Sequence, residues 1–155
     1  MNILAIDPGM NGGIAWSDGD RPSACIMPMA GKDIDLPELA ALIRSVSPGL
    51  IVVEKVGAMP KQGVTSTFKF GKGYGSILGI AAALETPVEL VTPQRWKGVV
   101  LSGTSKDKDA AIAYCRRMFP SVPLIPPRCR TPHDGIADAL CIWEYGRRVL
   151  MGVAA

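Results

Sequence analysis

The sequence predicts one α/β domain: a mixed five-stranded sheet, three antiparallel strands followed by two parallel ones, with helices on its faces. Short apolar runs end at turns or at charged residues, which is typical of buried strands. Apolar residues with a helical spacing follow the third, fourth and fifth of these runs. The length of 155 residues suits one core and is too short for two ordinary domains, so residues 1–155 are expected to form a single domain.

Three strands are predicted at the start of the chain. Ile3–Asp7 is apolar up to its carboxylate and stops at a Pro-Gly turn. Residues 12–16 and 24–29 are two further strand candidates, separated by a polar turn at residues 18–20. Strands joined so closely predict an antiparallel meander.

Helices and strands alternate in the rest of the chain. Leu36–Val46 has apolar residues at helical spacing, with Pro37 in its first turn. Leu50–Glu54 is a buried strand by the same criteria as the first, and Val88–Val91 is the fifth strand. The other helices are expected at residues 65–84, 93–100, 105–119 (capped by Thr104 or Ser105) and 133–150.

Composition excludes several classes of protein. Apolar residues make up 48% of the chain and charged residues 20%, which excludes a disordered chain, and no window is apolar enough for a membrane span. The N-terminus lacks a basic segment and reaches Asp7 early, so no signal peptide is expected, and the cytoplasm is the predicted location, with an organelle as the alternative. The cysteines form no C-x-x-C pair, and Cys129 with His133 supplies at most half of a zinc site.

The net charge of +3 is compatible with nucleic-acid binding, although it is mild. Basic residues occur in clusters, and a solvated face is the simpler interpretation of any one of them. The clusters are Lys55, Lys61, Lys69 and Lys72; Arg95, Lys97, Lys106 and Lys108; and Arg116, Arg117, Arg128 and Arg130.

Four carboxylates are candidates for chemistry. Asp7 and Glu54 each end an apolar strand; if the strands are parallel neighbours, both carboxylates emerge at one sheet edge. A charged strand terminator is the alternative for either one alone. Asp134 and Asp138 are four apart at a helix start and share one face, where their repulsion costs a few tenths of a kcal/mol that a bound cation would offset.

Oxygen ligands from three segments would suit Mg²⁺, which leaves positions for water and phosphate. Two such ions can activate water and stabilise the leaving oxygen in phosphodiester hydrolysis. His133 either orients water or shuttles a proton at this site, or it simply caps the helix.

Several short motifs occur in order along nearly the whole chain. They are Ile6-Asp7-Pro8-Gly9 with Gly13-Ile14-Ala15; Val52-Val53-Glu54; Val91-Thr92-Pro93 with Trp96-Lys97; Gly103-Thr104-Ser105-Lys106; and His133-Asp134 with Asp138-Ala139-Leu140. Jointly they resemble the RuvC-type Holliday-junction resolvases of the RNase H-like superfamily. The middle of the chain, residues 59–71, resembles the short phage and bacterial resolvases. It is also similar to the chloroplast resolvases, which carry a comparable Lys-Gln-Gly loop.

The resemblance implies an RNase H-like homodimer that binds a four-way DNA junction and makes paired, symmetric nicks. It implies two Mg²⁺ or Mn²⁺ ions per active site, held by Asp7, Glu54, Asp134 and Asp138. It leaves any helicase partner open.

Two departures from the family pattern concern the site. The aromatic residue that follows the strand-end Glu in bacterial members is replaced by Gly57, so the residue 61–63 loop or the phenylalanines of the next helix would open the junction. The last two metal-side residues, three apart in those members, are four apart here, which leaves His133 and Asp134 as competitors, with Asp134 favoured. The residues expected to contact DNA are Lys61, Gln62, Phe68, Lys69, Phe70, Lys97, Lys106 and, as a rival to Lys106, Lys108.

Three rival functions share this sheet. Actin-like ATPases and sugar kinases also begin with a strand, Asp and Gly, but they need two such domains. A DNA-binding module without catalysis has no reason to retain four acids. A nuclease of the same fold that cuts flaps, other branched DNA or RNA–DNA hybrids is the most serious rival, because the metal site is common to all of them.

Overall fold

The computed structural model of the protein describes residues 2–18, 21–57, 63–105, 107 and 109–152. In chain order, its strands are β1 (Ile3–Asp7), β2 (Gly13–Asp18), β3 (Arg21–Ile26), β4 (Met29–Ala30), β5 (Asp33–Ile34), β6 (Leu50–Glu54) and β7 (Val88–Val91). Its helices are α1 (Leu36–Val46), α2 (Val64–Ala83), α3 (Pro93–Val100), α4 (Ala110–Met118) and α5 (Asp134–Tyr145), with a π-helical turn at Gly146–Leu150.

The main sheet has five strands in the order β3-β2-β1-β6-β7. β1 pairs antiparallel with β2, and β2 antiparallel with β3. β6 pairs parallel with both β1 and β7, and the register sets Ile6 beside Val53. The mixed sheet predicted from the sequence, three antiparallel strands and then two parallel ones, is therefore confirmed.

Two hydrophobic cores lie on opposite faces of the sheet, because successive side chains of a strand point to opposite sides. One core joins alternate residues of β1, including Leu4 and Ile6, to α1 and α2. The other joins Ile3 and Ala5 to α3, α4 and α5. The result is a layer of helices on each face, with α5 packed across β1, β2 and β3.

Several element boundaries differ from prediction. β3 begins at Arg21 and stops at Ile26, and the predicted strand end at residues 27–29 leads instead into the small β4–β5 hairpin. The last helix was predicted to run to residue 150, but α5 ends at Tyr145 and continues as the π-helical turn.

The helix predicted at residues 105–119 begins only at Ala110, so the prediction of Thr104 or Ser105 as its cap was wrong. The Asp107 carboxylate accepts hydrogen bonds from the Ser105 hydroxyl and the Asp109 backbone N–H, which favours a polar turn over an earlier first helical turn. Within the described residues, no helix combines the length and apolar character needed to span a membrane.

Candidate active site

Asp7 and Glu54 are brought together by the parallel pairing of β1 and β6. Each is the last residue of its strand, and the residues before them, Ile6 and Val53, are partners in the register. Ala5 and Val52 face α5, and every second side chain of a strand points to the same face. Asp7 and Glu54, two residues further along, therefore lie on that face as well. Their side chains are half-buried. The predicted convergence at one sheet edge is thus confirmed.

Helix α5 brings Asp138 to this edge. The helix is buried along nearly all of its length, from Gly135 to Tyr145. Asp138 is half-buried, whereas Asp134, one turn earlier, is exposed. The charge of Asp134 acts on Asp138, as expected for residues four apart on one helix face.

Burial and neighbouring acids raise the pKa values of Asp7 and Asp138. Burial, followed by the charges of Glu54 and Asp138, raises the pKa of Asp7 from 3.8 to about 7. Burial also raises the pKa of Asp138 to about 6, with Glu54 and Asp134 adding to the effect. Burial raises the pKa of Glu54 as well. A desolvated group of like charges is an arrangement that a cation would stabilise.

Two residues of α3 contact this acidic group. The indole Nε1 of fully buried Trp96 donates a hydrogen bond to Glu54 Oε1 at 2.9 Å. The charge of Lys97 lowers the pKa values of Asp7, Glu54 and Asp138, so its ammonium group lies close enough to offset part of their repulsion. From the sequence, Lys97 was predicted to contact DNA; the proximity of Lys97 and Trp96 to the acids was missed. Their position directly after a strand that neighbours β6 was the available signal.

His133 is the N-cap residue of α5, although its side chain makes no capping hydrogen bond. Its backbone N–H donates to the Leu124 carbonyl, and its buried Nδ1 has no partner among the described residues. It lies next to Asp134 in the chain, so both competitors for the fourth position are at the start of the helix.

The predicted DNA contacts fall on different parts of the structure. Phe68 is 72% exposed near the start of α2, and Lys69 and Phe70 follow it on the same helix. Lys69 and Phe70 line a cleft with Pro8, the residue after Asp7, which brings this part of α2 near the acidic edge. The predicted contacts at Lys61, Gln62, Lys106 and Lys108 lie outside the described residues.

The chemistry of this site fits a hard divalent cation. The side chains that meet at the edge supply carboxylate oxygens, which Mg²⁺ and Mn²⁺ prefer, and one of them is oriented by a hydrogen bond from its neighbour. As the side chains stand, no group of three or more His, Cys, Asp or Glu residues in the described ranges is gathered closely enough to hold a metal ion. The charges of the acids therefore favour a bound cation, although the carboxylates of the described residues do not converge on a single position.

Solved structures with the same fold span almost the whole chain. The RuvC structure from Thermus thermophilus has a TM-score of 0.67 and 17% identity over 98% of this chain and 97% of its own. The fowlpox virus resolvase in complex with Holliday junction DNA has a TM-score of 0.60 and 17% identity over 97% and 99%. The yeast mitochondrial Holliday junction resolvase has a TM-score of 0.56 and 14% identity over 91% and 75%. No protein-family model and no curated protein sequence matches the chain.

Fold and site together define an α/β protein of the RNase H-like type with an acid-bearing edge on its central sheet. More particularly, the chain has the fold of the RuvC-type Holliday-junction resolvases, and it is similar to them from end to end. At these identities the likeness establishes the fold, and it confirms the resemblance inferred from the motifs.

Proposed function

We propose that this protein is a metal-dependent endonuclease that resolves four-way DNA junctions by paired nicks. The observation that carries the proposal is the meeting of Asp7, Glu54 and Asp138 at one edge of a sheet whose fold is shared with solved Holliday-junction resolvases. The fowlpox virus resolvase structure is a complex with Holliday junction DNA, and so is a second structure of Thermus thermophilus RuvC.

In the proposed mechanism, Asp7, Glu54, Asp138 and Asp134 would hold two Mg²⁺ or Mn²⁺ ions. When bound, the ions would supply an activated water and charge stabilisation for the leaving oxygen. Trp96 fixes one oxygen of Glu54 through its indole N–H. Lys97 adds a positive charge beside the acids, which favours their ionised form and attracts a DNA phosphate. His133, at the start of α5, is proposed to hold or pass a proton at the edge of the site.

The proposed DNA surface extends from the acidic edge along α2. Lys69 lines the cleft beside Pro8, and the exposed ring of Phe68 offers a flat apolar face for stacking on an unpaired base. Phe70, Lys97, Lys61, Gln62, Lys106 and Lys108 complete the proposed contacts. Phosphate contacts position the DNA, whereas the aromatic rings would act at the branch point.

Paired cleavage of a symmetric junction requires two active sites, so we propose a homodimer that acts on branched DNA in the cytoplasm or in an organelle. Each protomer would cut one strand. The net charge of +3 is consistent with this substrate.

Cleavage assays with synthetic substrates test the proposal directly. A four-way junction, a 5′ flap, a linear duplex and an RNA–DNA hybrid are incubated with the protein in Mg²⁺, in Mn²⁺ and in EDTA. We expect symmetric nicks in the junction only, and only with metal. Asp7→Asn and Asp138→Asn are expected to lower the cleavage rate by at least a hundredfold, whereas Asp109→Asn, an exposed acid before α4, leaves it unchanged.

Two results would contradict the proposal in different ways. Equal cutting of flaps and junctions would leave a nuclease of this fold with another substrate. Full activity of both Asn variants would remove the acidic site from the mechanism.

A further inference from the structure

A backbone contact between glycines joins helix α5 to the turn after β1. If Gly135 carried a Cβ, that atom would lie 2.5 Å from the Gly12 carbonyl carbon and closer still to the Asn11 carbonyl oxygen. If Gly13 carried one, it would lie 2.7 Å from the Gly135 carbonyl carbon. Because the obstructing atoms belong to the backbone, no side chain can rotate away to make room.

This contact lies between the two segments that carry the acids. Gly12 and Gly13 follow Asp7 through the β1–β2 turn, and the turn is held by hydrogen bonds from Gly12 N–H to Gly9 C=O and from Met27 N–H to Gly12 C=O. Gly135 lies in the first turn of α5, one turn before Asp138. The distance between Asp7 and Asp138 is therefore set by how closely these two backbones approach.

The same contact decides which residue of the first turn can carry a functional side chain. Positions 134 and 135 both lie about one turn before Asp138. Position 135 is buried against the turn and admits only glycine, whereas Asp134 is exposed.

We infer that Gly135 and Gly13 are positioning residues for the acidic site, and that their contact makes Asp134 the acid that the first turn of α5 contributes. The inference rests on the proposed metal-dependent function. An added methyl group at either glycine would push α5 away from β1 by about 1 Å, since carbon atoms in contact are separated by about 3.5–4.0 Å. Displacements of that size at a site of this kind reduce its function about a hundredfold.

Gly146 provides a matched control. It lies at the other end of the same helical run, and a Cβ there would lie 3.1 Å from a methyl group of Val52 and 3.2 Å from one of Ile3. Gly146→Ala therefore also strains the packing of this run on the sheet, but against side-chain methyl groups and at the end of the run away from Asp134 and Asp138. It separates a general loss of stability from a loss of geometry at the site.

The experiment is Mn²⁺ binding measured by titration calorimetry on metal-free protein, with the folded fraction monitored by circular dichroism at the same temperature. We expect folded Gly135→Ala and folded Gly13→Ala to have a dissociation constant for Mn²⁺ at least tenfold higher than that of the wild type. Asp134→Asn, a change at an exposed position, is expected to weaken binding severalfold. The dissociation constant of Gly146→Ala for Mn²⁺ is expected to stay within twofold of the wild-type value, even if its Tm falls as much as that of Gly135→Ala. Junction cleavage by the same variants is expected to fall in the same order.

Three outcomes would overturn the inference: wild-type binding by folded Gly135→Ala, wild-type binding by Asp134→Asn, or equal weakening by Gly146→Ala. If Gly135→Ala does not fold, the Mn²⁺ titrations of Gly13→Ala and Asp134→Asn test the inference instead. Failure of the proposed function has a different signature, because the wild type would then bind no Mn²⁺ or Asp7→Asn would bind it unchanged.

Discussion

Asp7 illustrates at the scale of one residue how a group of buried acids weakens the protein that contains it. Its pKa in the metal-free folded protein is about 7, above its ordinary value of 3.8. The folded state therefore binds this proton more tightly than the unfolded state does. The resulting stability is fully present below about pH 4 and is lost as the pH rises through 7.

We accordingly expect Asp7→Asn to stabilise the metal-free protein at pH 8 by about 2–4 kcal/mol, and far less at pH 4. Urea unfolding in EDTA at the two pH values measures the difference between variant and wild type. Asp109→Asn, an exposed acid away from the site, is the control and should show no such difference. An equal gain at both pH values would mean that burial and repulsion do not act on Asp7.

Trp96 leads to a second prediction at this scale. Trp96→Phe keeps a buried ring but removes the N–H that donates to Glu54 Oε1. Loss of such an orienting hydrogen bond typically weakens metal binding 10- to 100-fold. We expect the dissociation constant for Mn²⁺ to rise about tenfold, as measured by titration calorimetry. Trp143→Phe removes a comparable indole hydrogen bond, to the Ser17 hydroxyl, and should leave Mn²⁺ binding unchanged.

The acids could be predicted from sequence because each follows a strong local signal, either a strand end or a helix start. Lys97 and Trp96 illustrate what could not be predicted. Their closeness to Glu54 depends on the pairing of β7 with β6, which joins residues about 40 positions apart, and on the direction in which α3 leaves the sheet. No periodicity within a short window encodes either fact.

At the scale of elements, long and strongly patterned segments such as α1 were predicted with the bounds that the structure shows. The start of α4 was not, because the hydrogen bonds of Asp107 compete with the first helical turn. The end of α5 was also missed. There, the buried carboxylate of Glu144 accepts hydrogen bonds from Arg147 and Arg148, which lie in the π-helical turn.

Glu144 is the basis of the prediction for this element. Its side chain is 1% exposed, and its two partners would be left without a counter-charge if it were removed. We expect Glu144→Ala to lower the free energy of unfolding by about 2 kcal/mol, since it removes charge-assisted hydrogen bonds from two arginines whose side chains are 30% and 20% exposed. Urea unfolding measures it. Mn²⁺ binding should be unchanged in the folded variant, and Arg44→Ala, on the exposed face of α1, should have almost no effect on stability.

At the scale of the whole molecule, the fold places the acids and Lys69 on different layers. Acids meet at the sheet edge above α5, while Lys69 lies on α2, in the helical layer of the opposite face, beside the cleft next to Pro8. A DNA strand that approached the acids from the side of Pro8 would therefore pass Lys69. The net charge of +3 sums over the whole chain and does not report where the charges lie. For this reason the composition alone could not decide whether the protein binds nucleic acid.

The salt dependence of junction binding tests this arrangement. Each phosphate neutralised by a lysine contributes about −0.9 to the slope of log K against log salt. Lys69→Ala should make the slope shallower by about one and weaken binding at 50 mM salt severalfold, as measured by fluorescence anisotropy in EDTA, where no cleavage is expected. Arg116→Ala removes an exposed charge from α4, on the other face of the sheet, and should leave the slope unchanged. Equal changes in both variants would show that the protein attracts DNA through its net charge, and the path along α2 would then be wrong.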